Sequence, residues 1–168
     1  MRLAIGSDER THLTDQVLQR LINENHDLIL FGPLANSKST WPEVARLVGE
    51  AVVSGDADEG ILFCWTGTGV SIAANKIPGI RAALCDDAET ARGARLWNNA
   101  NVLCLSLRRI SDVLAEEILE SWFATKYEPN PADDACLSQI DQLESTHTPQ
   151  ESPEKNVDCR KTPANRVQ

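Results

Sequence analysis

Positive charge is scarce in this chain of 168 residues: 16 lysines and arginines face 25 aspartates and glutamates, a net charge of −9. A surface that acidic disfavours nucleic acid and anionic membranes as partners. Long apolar runs are missing too, so nothing approaches the ~20 residues of a membrane-spanning helix. Residues 1–6 read as a short strand rather than as a signal peptide. The five cysteines, Cys64, Cys85, Cys104, Cys136 and Cys159, are odd in number and widely spaced. No CxxC pair and no Cys/His set is present, which argues against a zinc site and against a disulfide scaffold. Free thiols in a reducing cytoplasm are expected, with no metal and no cofactor. Apolar residues make up 42% of the chain, enough for a core.

What is present alternates short apolar runs with helical patterns. Strands are predicted at residues 3–5, 28–31, 60–64, 80–85 and 101–105. Helical spacing is carried by Leu13, Val17, Leu18, Leu21 and Ile22, and by Val44, Leu47, Val48, Ala51 and Val52 behind Pro42. Further helices are expected from Val70 or Ser71 to residue 75, at 90–97, at 113–124 and, more weakly, at 133–144. Continuous apolar strands alternating with helices predict an α/β fold with a five-stranded parallel sheet buried on both faces. Residues 145–168 hold three prolines and almost no apolar side chains. They cannot offset their ordering entropy and are expected to be a disordered tail behind a domain at 1–144.

Ligands of such sheets bind at the carboxyl ends of strands, near a switch in strand order. Three turns lie there: residues 6–10, 64–69 and 85–87. The sharpest pattern is GILFCWTGTGVSIAANK at residues 60–76. A strand delivers Cys64 to its carboxyl end, and Thr66, Gly67, Thr68 and Gly69 turn into a helix. Glycines admit close backbone approach, and a helix start offers unpaired N–H groups and a positive dipole end. That combination suits a phosphate, a carboxylate or a developing oxyanion, and it favours a thiolate at Cys64 able to act as nucleophile or base. A buried core cysteine in a tight turn is the plain alternative. Neither G-x-x-x-x-G-K-[ST] nor G-x-G-x-x-G is matched, so an NTPase and a dinucleotide enzyme are disfavoured. Asp8 faces the same rim and could bind hydroxyls or move a proton, or serve only as a turn residue. Residues 97–101, WNNAN, offer amides for hydroxyls or simple turn chemistry. Trp41 and Trp65 could line a pocket or pack. His12, His26 and His147 are poorly placed for catalysis. Cys85, Cys104 and Cys136 read as packing residues, although Cys85 sits at the rim end of its predicted strand and could approach the site.

Together these residues resemble the ribose-5-phosphate isomerase B/galactose-6-phosphate isomerase family. The resemblance spans about residues 1–127. It rests on the 60–76 segment followed by PGIRAALC, the opening IGSD, the Trp41-Pro42 pair, the Ala91-Arg92 neighbourhood, NxANVL from Asn98 and the helix from Leu114 to Trp122. It implies a Rossmann-like three-layer sandwich and a cytoplasmic homodimer or homotetramer with sites between subunits. It also implies metal-independent aldose–ketose isomerisation of a sugar phosphate through a cis-enediolate. Cys64 falls at the family's cysteine base, with Thr66 as a second catalytic candidate. Residues 66–71, with Gly67, Thr68, Gly69 and Ser71, fall at its anion hole. Asp8 matches an aspartate on sugar hydroxyls, and Asn98 an asparagine near substrate oxygens.

The departures are specific. Glu9 stands where the family has histidine, and a carboxylate cannot donate to phosphate at neutral pH; Arg10 is the neighbouring substitute. Trp97 replaces the histidine assigned to ring opening, Asn99 an aspartate, Trp65 a glycine and Trp41 a tyrosine. The GGRHxxR segment that holds phosphate is replaced by EPNPADD at residues 128–134, leaving Arg10, Arg92, Arg95 or the anion hole for that task. An enolising half is thus kept while the ring-opening and phosphate-gripping halves are altered. The expectation is an isomerase of a sugar phosphate, with four-carbon sugar 4-phosphates, which cannot close a furanose ring, as attractive candidates. A non-catalytic sugar- or anion-binding homologue, or a partner subunit of an active isomerase, is the alternative.

Overall fold

The computed structural model describes residues 1–147, and the expected tail lies almost wholly outside them. Strands β1 (Arg2–Ser7), β2 (Asp27–Phe31), β3 (Glu59–Cys64), β4 (Ala82–Leu84) and β5 (Val102–Ser106) form one parallel sheet in the order β2-β1-β3-β5-β4. Helices α1 (His12–Asn23), α2 (Trp41–Val53), α3 (Thr68–Ala74), α4 (Ala88–Asn98), α5 (Asp112–Ala124) and α6 (Pro131–His147) complete the chain. From β1 the chain moves outward to β2 and then returns to place β3 on β1's other side. The strand order therefore reverses at the β1/β3 boundary, where a crevice opens at the carboxyl ends.

Two cores sandwich the sheet, because each strand sends alternate side chains to opposite faces. On one face α2 and α3 cover Ala4, Leu62, Cys64 and Val102 with Val44, Val48, Val70 and Ala74. On the other, α1, α4 and α5 cover Leu3, Ile5, Ile61, Phe63 and Leu105 with Val17, Leu21, Ala91, Ile118 and Trp122. The three-layer α/β sandwich expected from the sequence is the observed fold. The helices start where side chains satisfy their first amides. Thr11 and Thr14 form a reciprocal capping box on α1, Asp87 accepts from Thr90 N on α4, and Ser111 accepts from Leu114 N on α5.

Two boundaries differ from the sequence reading. β4 is only three residues long, at the sheet edge. α3 begins at Thr68 rather than at Val70 or Ser71, because Gly67 takes a left-handed φ of 74° and caps it directly. At the amino-terminal edge Glu59, 8% exposed, receives a 2.6 Å bond from Arg95 Nη2 and another from Trp122 Nε1 at 2.6 Å. Arg95 also donates to the carbonyls of Ala100 and Thr125, tying β3 to α4 and α5.

Candidate active site

Cys64 ends β3 and Asp8 follows β1, so the strand-order reversal brings them together from 56 residues apart. The Cys64 thiol points at Asp8 Oδ2 at 3.9 Å. Asp8 Oδ1 is buried with no hydrogen-bond partner among the described residues. A carboxylate oxygen held from water without a donor is costly, and a ligand hydroxyl would satisfy it.

The turn after Cys64 is pinned from below. Cys64 O accepts from Gly67 N at 3.2 Å and from Leu107 N at 3.0 Å, and Trp65 O accepts from Ser106 Oγ at 3.0 Å and Arg108 N at 3.1 Å. The first α3 amide to bond back along the chain is that of Ser71, to Gly67 O at 3.2 Å. The amides of Thr68, Gly69 and Val70 precede that bond and are the helix's unpaired donors. Gly67 is required here. A Cβ would meet Leu84 Cδ1 at 2.5 Å and the Leu105 carbonyl at 3.2 Å, on a backbone of positive φ. Gly67→Ala is expected to cost ~1–3 kcal/mol, measured by urea denaturation.

Thr66 and Thr68 are exposed at the mouth, their hydroxyls 2.7 Å apart. Ser71 Oγ turns instead toward Ala82 O at 3.5 Å, leaving only its backbone near the turn. Glu9 is exposed, its amide bonded to Ser7 Oγ at 3.2 Å. Arg10 lies beside it, held by Asp15 at 2.8 Å. Trp65 is 56% exposed and Trp41 42% exposed. The Trp41 indole lies over Gly69, 3.2 Å from where a Cβ would stand.

Trp97 and Asn98 are not near Cys64 within one chain. α4 runs back to the amino-terminal edge, and β5 then starts with Val102 opposite Gly60. A strand length, roughly 15 Å, separates that edge from the thiol. Asn98 instead helps line a cavity of about 840 Å³ between β4 and α6, while Trp97 covers Gly93 with the Arg92 guanidinium 5.8 Å from its ring.

Three expectations are corrected. Arg95, offered for phosphate, is consumed by the buried Glu59 pair. Cys85 follows β4 at its carboxyl end as expected, but it is fully buried rather than open to the site, and burial pushes its thiol up to about 12. Cys136 is exposed on α6 rather than packed. Arg108 and Arg109 were missed. They follow β5 at the carboxyl edge, beside the Cys64 turn, and a Arg-Arg pair just past a central strand was the available signal. Arg109 pairs with Asp86 at 2.9 Å, whereas Arg108 is exposed and has no carboxylate partner among the described residues. No cluster of three or more metal-ligating side chains occurs among the described residues.

A family model described as Ribose/Galactose Isomerase matches residues 3–140. The chain belongs to that family. Ribose-5-P isomerase B of Listeria innocua is 38% identical over 128 residues, covering 76% of this chain and 86% of that protein. A D-erythrulose-4-phosphate isomerase of Pectobacterium atrosepticum is 35% identical over 136 residues, again 76% and 86%. The solved ribose-5-phosphate isomerase B of Clostridium thermocellum superposes with a TM-score of 0.83 at 36% identity, covering 88% of this chain and all of that one. The isomerase class and the Rossmann-like fold expected from the sequence are those of this family. Among the described residues no helix is long and apolar enough to cross a membrane.

Proposed function

We propose that this chain interconverts the aldose and ketose forms of a four-carbon sugar 4-phosphate. The observation that carries the reading is the Cys64 thiol facing Asp8, whose second carboxylate oxygen is buried without a donor. Cys64, as thiolate, takes the proton from the carbon beside the carbonyl. The negative charge moves onto the carbonyl oxygen, giving an enediolate, and the amides of Thr68, Gly69 and Val70 and the Thr66 and Thr68 hydroxyls stabilise it. The thiol returns the proton to the neighbouring carbon. A proton passes between the two oxygens, and no electron leaves the substrate. Asp8 holds the sugar hydroxyls.

Trp97 argues for the substrate's size. An indole cannot accept a proton as the histidine of the resembled family would, so a sugar that needs no ring opening fits. Two similar proteins carry the names D-erythrulose-4-phosphate isomerase and D-erythrulose-4-phosphate isomerase 2, in keeping with this choice. With Arg95 buried in its ion pair, Arg10 and Arg108 are the rim cations available to a phosphate. Because Trp97 and Asn98 lie a strand length from Cys64, they can reach a site only from a second copy. The reading therefore includes a homodimer or homotetramer, working in the cytoplasm, where its thiols stay reduced.

Incubation with tetrose, pentose and hexose phosphates in D₂O tests this. Proton NMR should show loss of a C-1 or C-2 proton from tetrulose or tetrose 4-phosphate at a rate well above that for ribose 5-phosphate. Efficient exchange into ribose 5-phosphate with none into the tetrose phosphates would overturn the substrate assignment. No exchange into any sugar phosphate would favour a binding homologue or a subunit awaiting a different partner.

A further inference from the structure

α2 lies unusually close to the carboxyl end of β1 because two glycines leave room for it. A Cβ on Gly6 would stand 2.4 Å from Val44 Cγ1, and one on Gly32 would stand 2.8 Å from Val44 Cγ2. Val44 is three residues beyond Trp41, so the two share a helix face, with Trp41 one turn nearer the rim. Pro42 follows it and restricts the backbone at the helix start. The indole is thereby set down on Gly69, with Cε3, Cδ2 and Cζ3 at 3.2, 3.3 and 3.5 Å from a Cβ position there. Glycine at 69 is what lets a six-membered ring edge lie against the backbone of the turn. The indole thus flanks the turn that follows Cys64 from the α2 side, while Asp8 faces the thiol from the end of β1.

We infer that Trp41 is a specificity-determining residue: its indole, seated on Gly69, closes the α2 side of the crevice and excludes phosphorylated sugars longer than four carbons. Two properties of the contact support this. The ring is rigid, with two rotatable bonds and its six-membered edge already packed on the turn, so it does not fold aside at small cost. It is also 42% exposed, so its outer part borders open space at the rim rather than the core. A longer chain must displace it or lose contact at one end. Extra carbons in a pocket closed by a fixed wall are discriminated by roughly 10–200-fold.

This inference rests on the sugar-phosphate reading of the site, and a binding measurement separates the two. Tetritol 4-phosphate and pentitol 5-phosphate have no carbonyl and cannot react. Their Kd values would be measured by calorimetry on the full chain, on Trp41→Ala and on Trp41→Phe, each checked for folding by circular dichroism. The wild type should prefer the tetritol by roughly tenfold or more. Trp41→Ala should erase most of that preference by gaining affinity for the pentitol, with Trp41→Phe between. An unchanged preference in a folded Trp41→Ala, equal binding of both by the wild type, or binding of neither would overturn it. If Trp41→Ala fails to fold, an unchanged pentitol affinity in Trp41→Phe does the same. The expected binding pattern without any deuterium exchange into tetrose 4-phosphates would sustain the Trp41 inference and sink the isomerase reading.

Discussion

Cys64→Ala should lower the rate of deuterium exchange into substrate by ~10²–10⁴-fold, the range contributed by a positioned proton-transferring group. Cys64 is 7% exposed at the carboxyl end of β3, its thiol facing Asp8 at 3.9 Å. Cys104, the nearby thiol on the same core, is fully buried, and burial holds its proton on. Cys85 is likewise buried, with its thiol raised to about 12. Neither can stand in as base at neutral pH. The fold should survive the change, since a single sulfur is removed at the last position of β3, at the edge of the core beneath α2 and α3. Cys64→Ser is expected to be nearly as slow, because a hydroxyl occupies the same place but is a far weaker acid. Substrate-analogue affinity should change little in either variant. Exchange at the wild-type rate in Cys64→Ala would place the base elsewhere.

Arg95→Ala should destabilise the protein by ~3–5 kcal/mol, the cost of stranding one member of a buried ion pair. Its guanidinium is 13% exposed, bonds Glu59 at 2.6 Å, and lies 4.9 Å from the Trp122 ring centre. Without it, Glu59 keeps only the Trp122 N–H. Burial already pushes the Glu59 carboxyl upward, with Arg95 and Trp122 opposing. In the variant the opposition weakens, and the folded state binds a proton at Glu59 more readily than the unfolded chain does. The destabilisation should therefore grow as pH rises through that raised pKa and shrink below it. Replacing both partners by apolar residues, Glu59→Leu with Arg95→Met, should recover most of the loss, since no charge is left stranded. Urea denaturation across pH is the measurement. A loss of under ~1 kcal/mol at neutral pH would assign the pair the strength of an exposed one.

The strands were legible because burial on both faces writes a strand as an unbroken apolar run, as in ILFC of β3. The Cys64 turn was legible because glycines and a following helix pattern are local signals. Other features depend on residues far apart in the chain. Glu59 reads as a loop residue before a strand, and its partner is 36 positions away on a helix. The contact of Trp41 with Gly69 joins α2 and α3, neighbours on one face of the sheet that β3 separates in the chain. Arg108 follows an ordinary apolar strand, and its importance depends on β5 lying next to β3. Asn98 was identified by resemblance, and only the path of α4 shows that it and Cys64 stand at opposite edges of one sheet.

β3 itself is six residues long, yet it carries the thiol at one end and the Glu59 lock at the other. The two lie roughly 17 Å apart, beyond the distance at which substitutions normally interfere. Inherited changes can therefore loosen or tighten the amino-terminal lock while the chemistry at the far end goes on unaltered. A lineage descending from this chain has a reserve of stability to spend at one edge when a new substrate demands a strained residue at the other.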